Sequence, residues 1–320
     1  MSKFTRRTAL AGAALGLAGQ AFIGGVARAE GIPKEFRVGY QKGGLLSISK
    51  DRAVFEKRLK QLGVESVKWS EFQFGPPMLE AIGVGAVDFG EVGDTPPIFA
   101  QAAGGKIAYV AATPAAQHAL LVPEGSAIRE LTDIKGKKIA VARGSSAHNF
   151  TIKLVNKAGL AFTDIEPAYL PPADASAAFV RGSVDAWVIW DPYFALAQRR
   201  QKVRVIATTD DVSPSNSFYI GNSDFAAKYP KVLVAVIDEL AKVFDWAAHN
   251  RDKLAETIAA VIGIDIEAER IAVERANLGL STITPEVIAQ QQGIADAFLK
   301  LRLIPKPIVV REAVWLPPAG

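Results

Sequence analysis

The run Arg143-Gly144-Ser145-Ser146-Ala147-His148-Asn149-Phe150 gathers a base, two hydroxyls, a histidine and an amide just after a glycine. Two chemistries use such a set. A serine beside a histidine can act as a nucleophile with its general base. Glycine and hydroxyl residues at a helix start can instead hold an anion with side-chain hydroxyls and free backbone N–H groups. The first option is weak, because Ser145, Ser146 and His148 crowd into one turn. There is no GxSxG elbow, no HExxH and no GxxxxGK[ST] loop in the sequence. The three histidines, His118, His148 and His249, are dispersed, and no spacing of acids picks out a metal site.

Three more junctions between an apolar run and a helical pattern carry similar residues: Gln41-Lys42-Gly43-Gly44, Gly93-Asp94-Thr95-Pro96 and Trp190-Asp191-Pro192. Ser145, Ser146, Thr95 and Asp191 are all good helix N-caps, and each taken alone reads that way. The cluster of hydroxyls and amide at 145–149 exceeds what a cap needs. A strong-acid anion stays ionised near neutral pH, so its site needs only donors, each charge-assisted bond contributing about 1.5–3 kcal/mol. Trp190 suits the organic part of such a ligand. Asp191 caps its helix or meets a cationic group on a zwitterion.

These junctions need strands and helices to hold them. "FRVGY" (36–40), "VDFGEV" (87–92), "KIAYVA" (106–111), "ALLVP", "KKIAVA", "AYLPP", "SVDAWVIW" and "KVRVIA" read as strands. Helices are predicted over 45–63, 96–105 and about 146–158, and a mostly helical tail begins near 218–230. Strands separated by helices imply an α/β fold with mostly parallel pairing. "GAVDFGEVGD" (85–94) aligns without a gap on "GSVDAWVIWD" (182–191), and "VGYQKGG" (38–44) resembles "IAVARGS" (139–145). Two matches in the same order imply two lobes of similar construction.

The 320 residues are 49% hydrophobic, enough for one large or two ordinary domains, and zero cysteines exclude disulfides and thiol chemistry. Residues 1–29 read as an export signal with a twin-arginine-like start: Lys3, Arg6 and Arg7 precede a Gly/Ala-rich apolar run and the site Ala27-Arg28-Ala29. The formal charge of +4 equals that of Lys3, Arg6, Arg7 and Arg28 in this segment, so the chain after it is neutral. A nucleic-acid partner, which needs a basic field, is thereby disfavoured. A soluble protein outside the cytoplasm is expected.

"YQKGG", "VGDTPPIFAQAAG", "LTDIKGKKIAVARGSSAHNF", "YLPPADASAAFVRGSVDAWVIWDPYFA" and "NSFYIGNSDFAAKYPKVL" together resemble the aliphatic-sulfonate-binding proteins of bacterial ABC importers. Related families bind taurine, nitrate and thiamine precursors. The resemblance implies the periplasmic-binding-protein type II fold, two α/β lobes with a ligand cleft between them. Lobe one would comprise 30–117 and a return segment 217–320 with C-terminal helices, and lobe two 118–216. It further implies capture of an organic sulfonate for sulfur acquisition, delivery to a membrane permease and ATPase, no cofactor, no catalysis and a monomeric state. Taurine, a sulfate ester, nitrate or a phosphonate are alternative ligands, and an enzyme of the same fold is the alternative activity. Carried over by residue, Gln41, Gly93, Asp94, Thr95 and Pro96 face the cleft from lobe one. Ser145, Ser146, His148, Asn149, Trp190 and Asp191 face it from lobe two. Asn216 and Phe218 join at the return crossing.

Overall fold

The computed structural model describes residues 31–318; the expected export signal, 1–29, lies outside them. In chain order, the first lobe begins with β1 (Glu35–Tyr40), α1 (Leu45–Asp51), α2 (Val54–Lys60), β2 (Ser66–Glu71), α3 (Gly75–Gly83), β3 (Phe89–Val92), α4 (Thr95–Ala102) and β4 (Ile107–Pro114). The second lobe holds β5 (His118–Pro123), β6 (Lys138–Val141), α5 (Ser146–Lys157), β7 (Glu166–Tyr169), α6 (Pro172–Val180), β8 (Ala186–Trp190), α7 (Tyr193–Arg200) and β9 (Val203–Thr208). The chain then returns through β10 (Asn216–Asn222) to α8 (Ser223–Lys228), α9 (Pro230–His249), α10 (Arg251–Ile262), α11 (Ile266–Arg275) and α12 (Pro285–Lys300).

The strands form two sheets, β2-β1-β3-β10-β4 and β7-β6-β8-β5-β9. Position by position, β1 corresponds to β6 and β3 to β8. The two segment pairs that resemble each other in sequence therefore occupy the same places in their sheets. Pairing is mixed, not mostly parallel: β10 runs antiparallel to β3 and β4, and β5 antiparallel to β8 and β9. The reason is topological. A chain crossing from the other lobe arrives at the cleft edge of the sheet, so β5 and β10 start there and run away from it. Strands built within a lobe end at that edge.

Each sheet is covered on both faces. In the first lobe, alternation sends Phe36, Val38 and Tyr219 toward α9 and α10, while Phe218 and Ile220 join Met78, Tyr109 and Phe298 on the opposite face. In the second, Val188 and Ala186 pack with Phe150 and Leu154, whereas Trp187 and Ile189 pack with Phe179. The single helix expected over 45–63 is two helices. Ala53 takes a left-handed conformation (φ 52°) between them. The Arg52 guanidinium lies 3.3 Å from the Trp246 ring centroid at this break. The bend lets both short helices lie along the C-terminal helices.

Candidate functional site

Four strand ends converge between the lobes around a cavity of about 110 Å³. β6 ends at Val141, and Gly144 follows with φ 72°, a left-handed turn that glycine adopts without steric cost. That turn sets Ser145 as the extended N-cap of α5. First-turn N–H groups have no acceptor within their own helix. His148 N–H reaches the Ser145 carbonyl at 2.9 Å, which leaves those of Ser146 and Ala147 open at the helix start. The equivalent turn in lobe one repeats the design: Gly43 has φ 92° and Gly44 is extended before α1.

The cavity wall contains Gln41, Gly93 and Pro96 from lobe one and Ser145, Ser146, Trp190 and Asp191 from lobe two. Gln41 is fixed by an Nε2–H bond to the Glu91 carbonyl at 2.7 Å, keeping its remaining amide atoms for the cavity. The Ser145 hydroxyl donates to the Ala142 carbonyl at 2.7 Å. Trp190 packs edge-on to Tyr193, with ring centroids 6.1 Å apart. Asp191 accepts from the Ala195 N–H at 3.0 Å and lies 3.5 Å from Arg275. Burial raises the Asp191 carboxyl to about 6, against the pull of Arg275.

Six of the expected residues lie off this wall. Asp94 is 2% exposed and accepts from Thr95 Oγ1 at 2.8 Å and from Asn149 Nδ2 at 2.6 Å. Asp94, Thr95 and Asn149 thus form a buried clasp between the lobes. His148 is also buried there, its ring against Phe162, Tyr169 and, across the cleft, Phe298 at 5.2 Å. Burial and the nearby Arg143 charge lower it to about 4. Asn216 bonds Gln290 at 2.9 Å. Phe218 sits in the lobe-one core, edge-on to Tyr109 at 5.0 Å. Its neighbour Ser217 reaches the cavity instead, since one step along a strand exchanges faces.

His118, Glu91 and Ser217 line the cavity without having been singled out in the sequence. His118 opens β5 at the crossing; its Nδ1 lies 2.7 Å from the Ala116 carbonyl and its Nε2 2.8 Å from Ser146 Oγ. A carbonyl only accepts, so Nδ1 carries the proton and the Ser146 hydroxyl donates to Nε2. Burial lowers this histidine to about 4. Glu91 faces the cavity deep in the molecule, and burial raises it to about 7 despite the Tyr219 hydroxyl at 3.2 Å. An acid inside the apolar run "VDFGEV" was the sequence signal for it.

The lobes meet on both flanks of the cavity. A Cβ on Gly93 would lie 2.6 Å from Ser146 Cβ, and one on Gly43 would lie 2.8 Å from Pro192 Cδ. On the far flank Arg275 bonds Gln198 at 2.5 Å, and Arg199 lies 3.8 Å from Asp265. The arrangement has room for a small ligand, offers open N–H groups at one end, and carries no lysine or arginine side chain on its wall except Lys42.

Residues 75–253 match the family model described as NMT1/THI5 like. The chain is 40% identical over 295 residues to the putative aliphatic sulfonates-binding protein of Escherichia coli K12, covering 90% of this chain and 91% of that protein. Its structure superposes on the alkanesulfonate-binding protein SsuA of Xanthomonas axonopodis pv. citri bound to MOPS with a TM-score of 0.85, at 35% identity, over 89% of this chain and 99% of that one. On the periplasmic aliphatic sulphonate binding protein SsuA of Escherichia coli the TM-score is 0.80, at 37% identity, over 90% and 94%. The two mixed sheets, the crossings between them and these likenesses over nearly the whole described chain place the protein in the NMT1/THI5-like family, among its aliphatic-sulfonate-binding members.

Proposed function

We propose that the protein captures an organic sulfonate between its lobes, outside the cytoplasm, and delivers it to the permease and ATPase of an ABC importer for sulfur acquisition. The observation that carries this reading is the start of α5, where the Ser146 and Ala147 N–H groups stand open beside a cavity between the lobes lined by Ser145, Ser146 and Gln41. A helix N-terminus of this length favours an anion by about 0.3–1 kcal/mol beyond the bonds themselves. A few such donors suffice for micromolar binding, about −8 kcal/mol. The organic tail would lie against Trp190. Placement outside the cytoplasm is supported by the basic, then apolar, N-terminal sequence and by the periplasmic relative; no helix among the described residues is long and apolar enough to cross a membrane.

The contact between Ser146 and His118 has the spacing of a nucleophile and its base. It lacks the rest of that device. The outer nitrogen of His118 meets a backbone carbonyl rather than a carboxylate, and a histidine lowered to about 4 is a poor base at neutral pH. Both points favour binding without turnover.

Calorimetric titration with a short alkanesulfonate, an aromatic sulfonate, sulfate, nitrate and a phosphonate tests the reading. One organic sulfonate should bind at micromolar strength or tighter, and the Ser145→Ala/Ser146→Ala double variant should weaken it by about tenfold or more. Preference for nitrate or phosphonate would move the ligand, and mass analysis revealing a converted sulfonate would replace capture by catalysis.

A further inference from the structure

A second cavity of about 120 Å³ adjoins the first and shares Gly44, Glu91, Asp191 and Ser217 with it. An anion held at the start of α5 makes no use of this chamber. Phe244 and Leu278 contribute apolar wall. Three carboxyl groups meet there: Glu91 from β3, Asp191 from the end of β8 and Glu269 from α11.

Glu269 is 2% exposed, and its Oε2 has no hydrogen-bond partner among the described residues. A buried carboxylate normally keeps a partner, because an unpaired one costs several kcal/mol. The neighbouring base does not supply it: Arg270 pairs outward with Glu267 at 2.6 Å. Glu91 has only the Tyr219 hydroxyl. Asp191 alone has a cation, Arg275, whose Nη1 stands 3.5 Å from both its oxygens. Arg275 is further engaged by Gln198 and lies 4.1 Å over the Phe194 ring. Lys42, at the edge of the first cavity, turns to Glu71 at 3.8 Å. The charged side chains lining the chamber are therefore three acids, of which Asp191 alone is paired, with the guanidinium of Arg275.

The three acids all have raised proton affinity. Burial is the main cause at each, taking Glu91 to about 7, Asp191 to about 6 and Glu269 to about 8; the Asp191 charge adds to the effect at Glu269. Near neutral pH Glu269 thus keeps its proton, while Asp191, beside Arg275, is mostly ionised.

We propose that the chamber receives a positively charged nitrogen carried by the ligand, so that the site is built for zwitterionic sulfonates, the sulfonate at the start of α5 and the cationic nitrogen among Glu91, Asp191 and Glu269. This rests on the sulfonate reading of the first cavity. The two cavities adjoin, so one molecule can span both. An arriving ammonium takes the place of a proton, which leaves for solvent.

The test is calorimetry with matched pairs: taurine against ethanesulfonate, and 3-aminopropanesulfonate against 1-propanesulfonate. At pH 8 the amino member of at least one pair should bind about tenfold more tightly or better. Its affinity should rise with pH from 6 to 8, because the acids must give up a proton to pair with it. That of the plain alkanesulfonate should stay level or fall. The binding heat of the amino member alone should depend on the buffer's ionisation enthalpy. Glu269→Gln should remove most of the preference and leave the plain sulfonate within about threefold; Glu269→Met serves if the first variant does not fold. Equal binding within both pairs, or a preference unchanged in the variants, would overturn the chamber's role and leave sulfonate capture intact. Binding by neither member of either pair, with nitrate or phosphonate bound instead, would overturn both.

Discussion

His118 holds the Ser146 hydroxyl through Nε2 while its own Nδ1–H is tied to Ala116. An anion at Ser146 asks that hydroxyl to turn and donate elsewhere, which strips Nε2 of its partner. A proton on Nε2 repairs the loss, since His118 can then donate to Ser146 Oγ as Ser146 donates to the anion. In the free protein this histidine is lowered to about 4. An adjacent anion raises that value. The bound form then carries more protons than the free form above about pH 4, so affinity rises as pH falls toward that value. The slope is at most about tenfold per pH unit, one proton's worth. Titrations of a plain alkanesulfonate at pH 4.5, 5.5 and 6.5 should show it, and His118→Leu should flatten it. An unchanged slope in that variant would assign the proton elsewhere.

At the scale of elements, the seam between α4 and α5 is set by Gly93, where an added Cβ would meet Ser146 Cβ at 2.6 Å. Gly93→Ala should leave each lobe folded and hold this seam apart. Sulfonate affinity should fall by about tenfold or more while the melting temperature of the free protein changes little; a tight-binding variant would mean the seam has slack. Much of this architecture was legible. Turn glycines and hydroxyl caps marked the strand ends, and the paired segments at 85–94 and 182–191 do lie at matching sheet positions. Less legible was what depends on distant contacts. β10 reads as the start of a helical tail because Phe218, Tyr219 and Ile220 are buried on both faces and show no polar alternation. The same burial hid its register, which turns Ser217 and not Phe218 to the cavity. The family resemblance, not the local pattern, sets Asn149 and His148 at the cleft. Their contacts with Asp94 and Phe298, which arrive from the other lobe, cannot be read from their own segment.

For the whole molecule, the buried acids set a dependence of stability on pH. Glu269 rises from its ordinary 4.5 to about 8 on folding. The folded chain therefore holds a proton that the unfolded chain has lost over that interval, and stability falls as pH rises through it. Glu269→Gln should match the wild type near pH 4.5 and exceed it at pH 8 by on the order of 1 kcal/mol or more, read from denaturant unfolding. The histidines act in the opposite sense. His118 and His148, both lowered to about 4 from 6.5, add stability as pH rises from about 4 to 6.5. The close meeting of Gly93 and Ser146 has a bearing on time as well as on strength. A passage too narrow for a methyl group cannot pass a cargo molecule while shut. Along that edge, how long a captured molecule stays is governed by how often the two halves part, so whatever docks on the protein and pries them open decides when the cargo leaves.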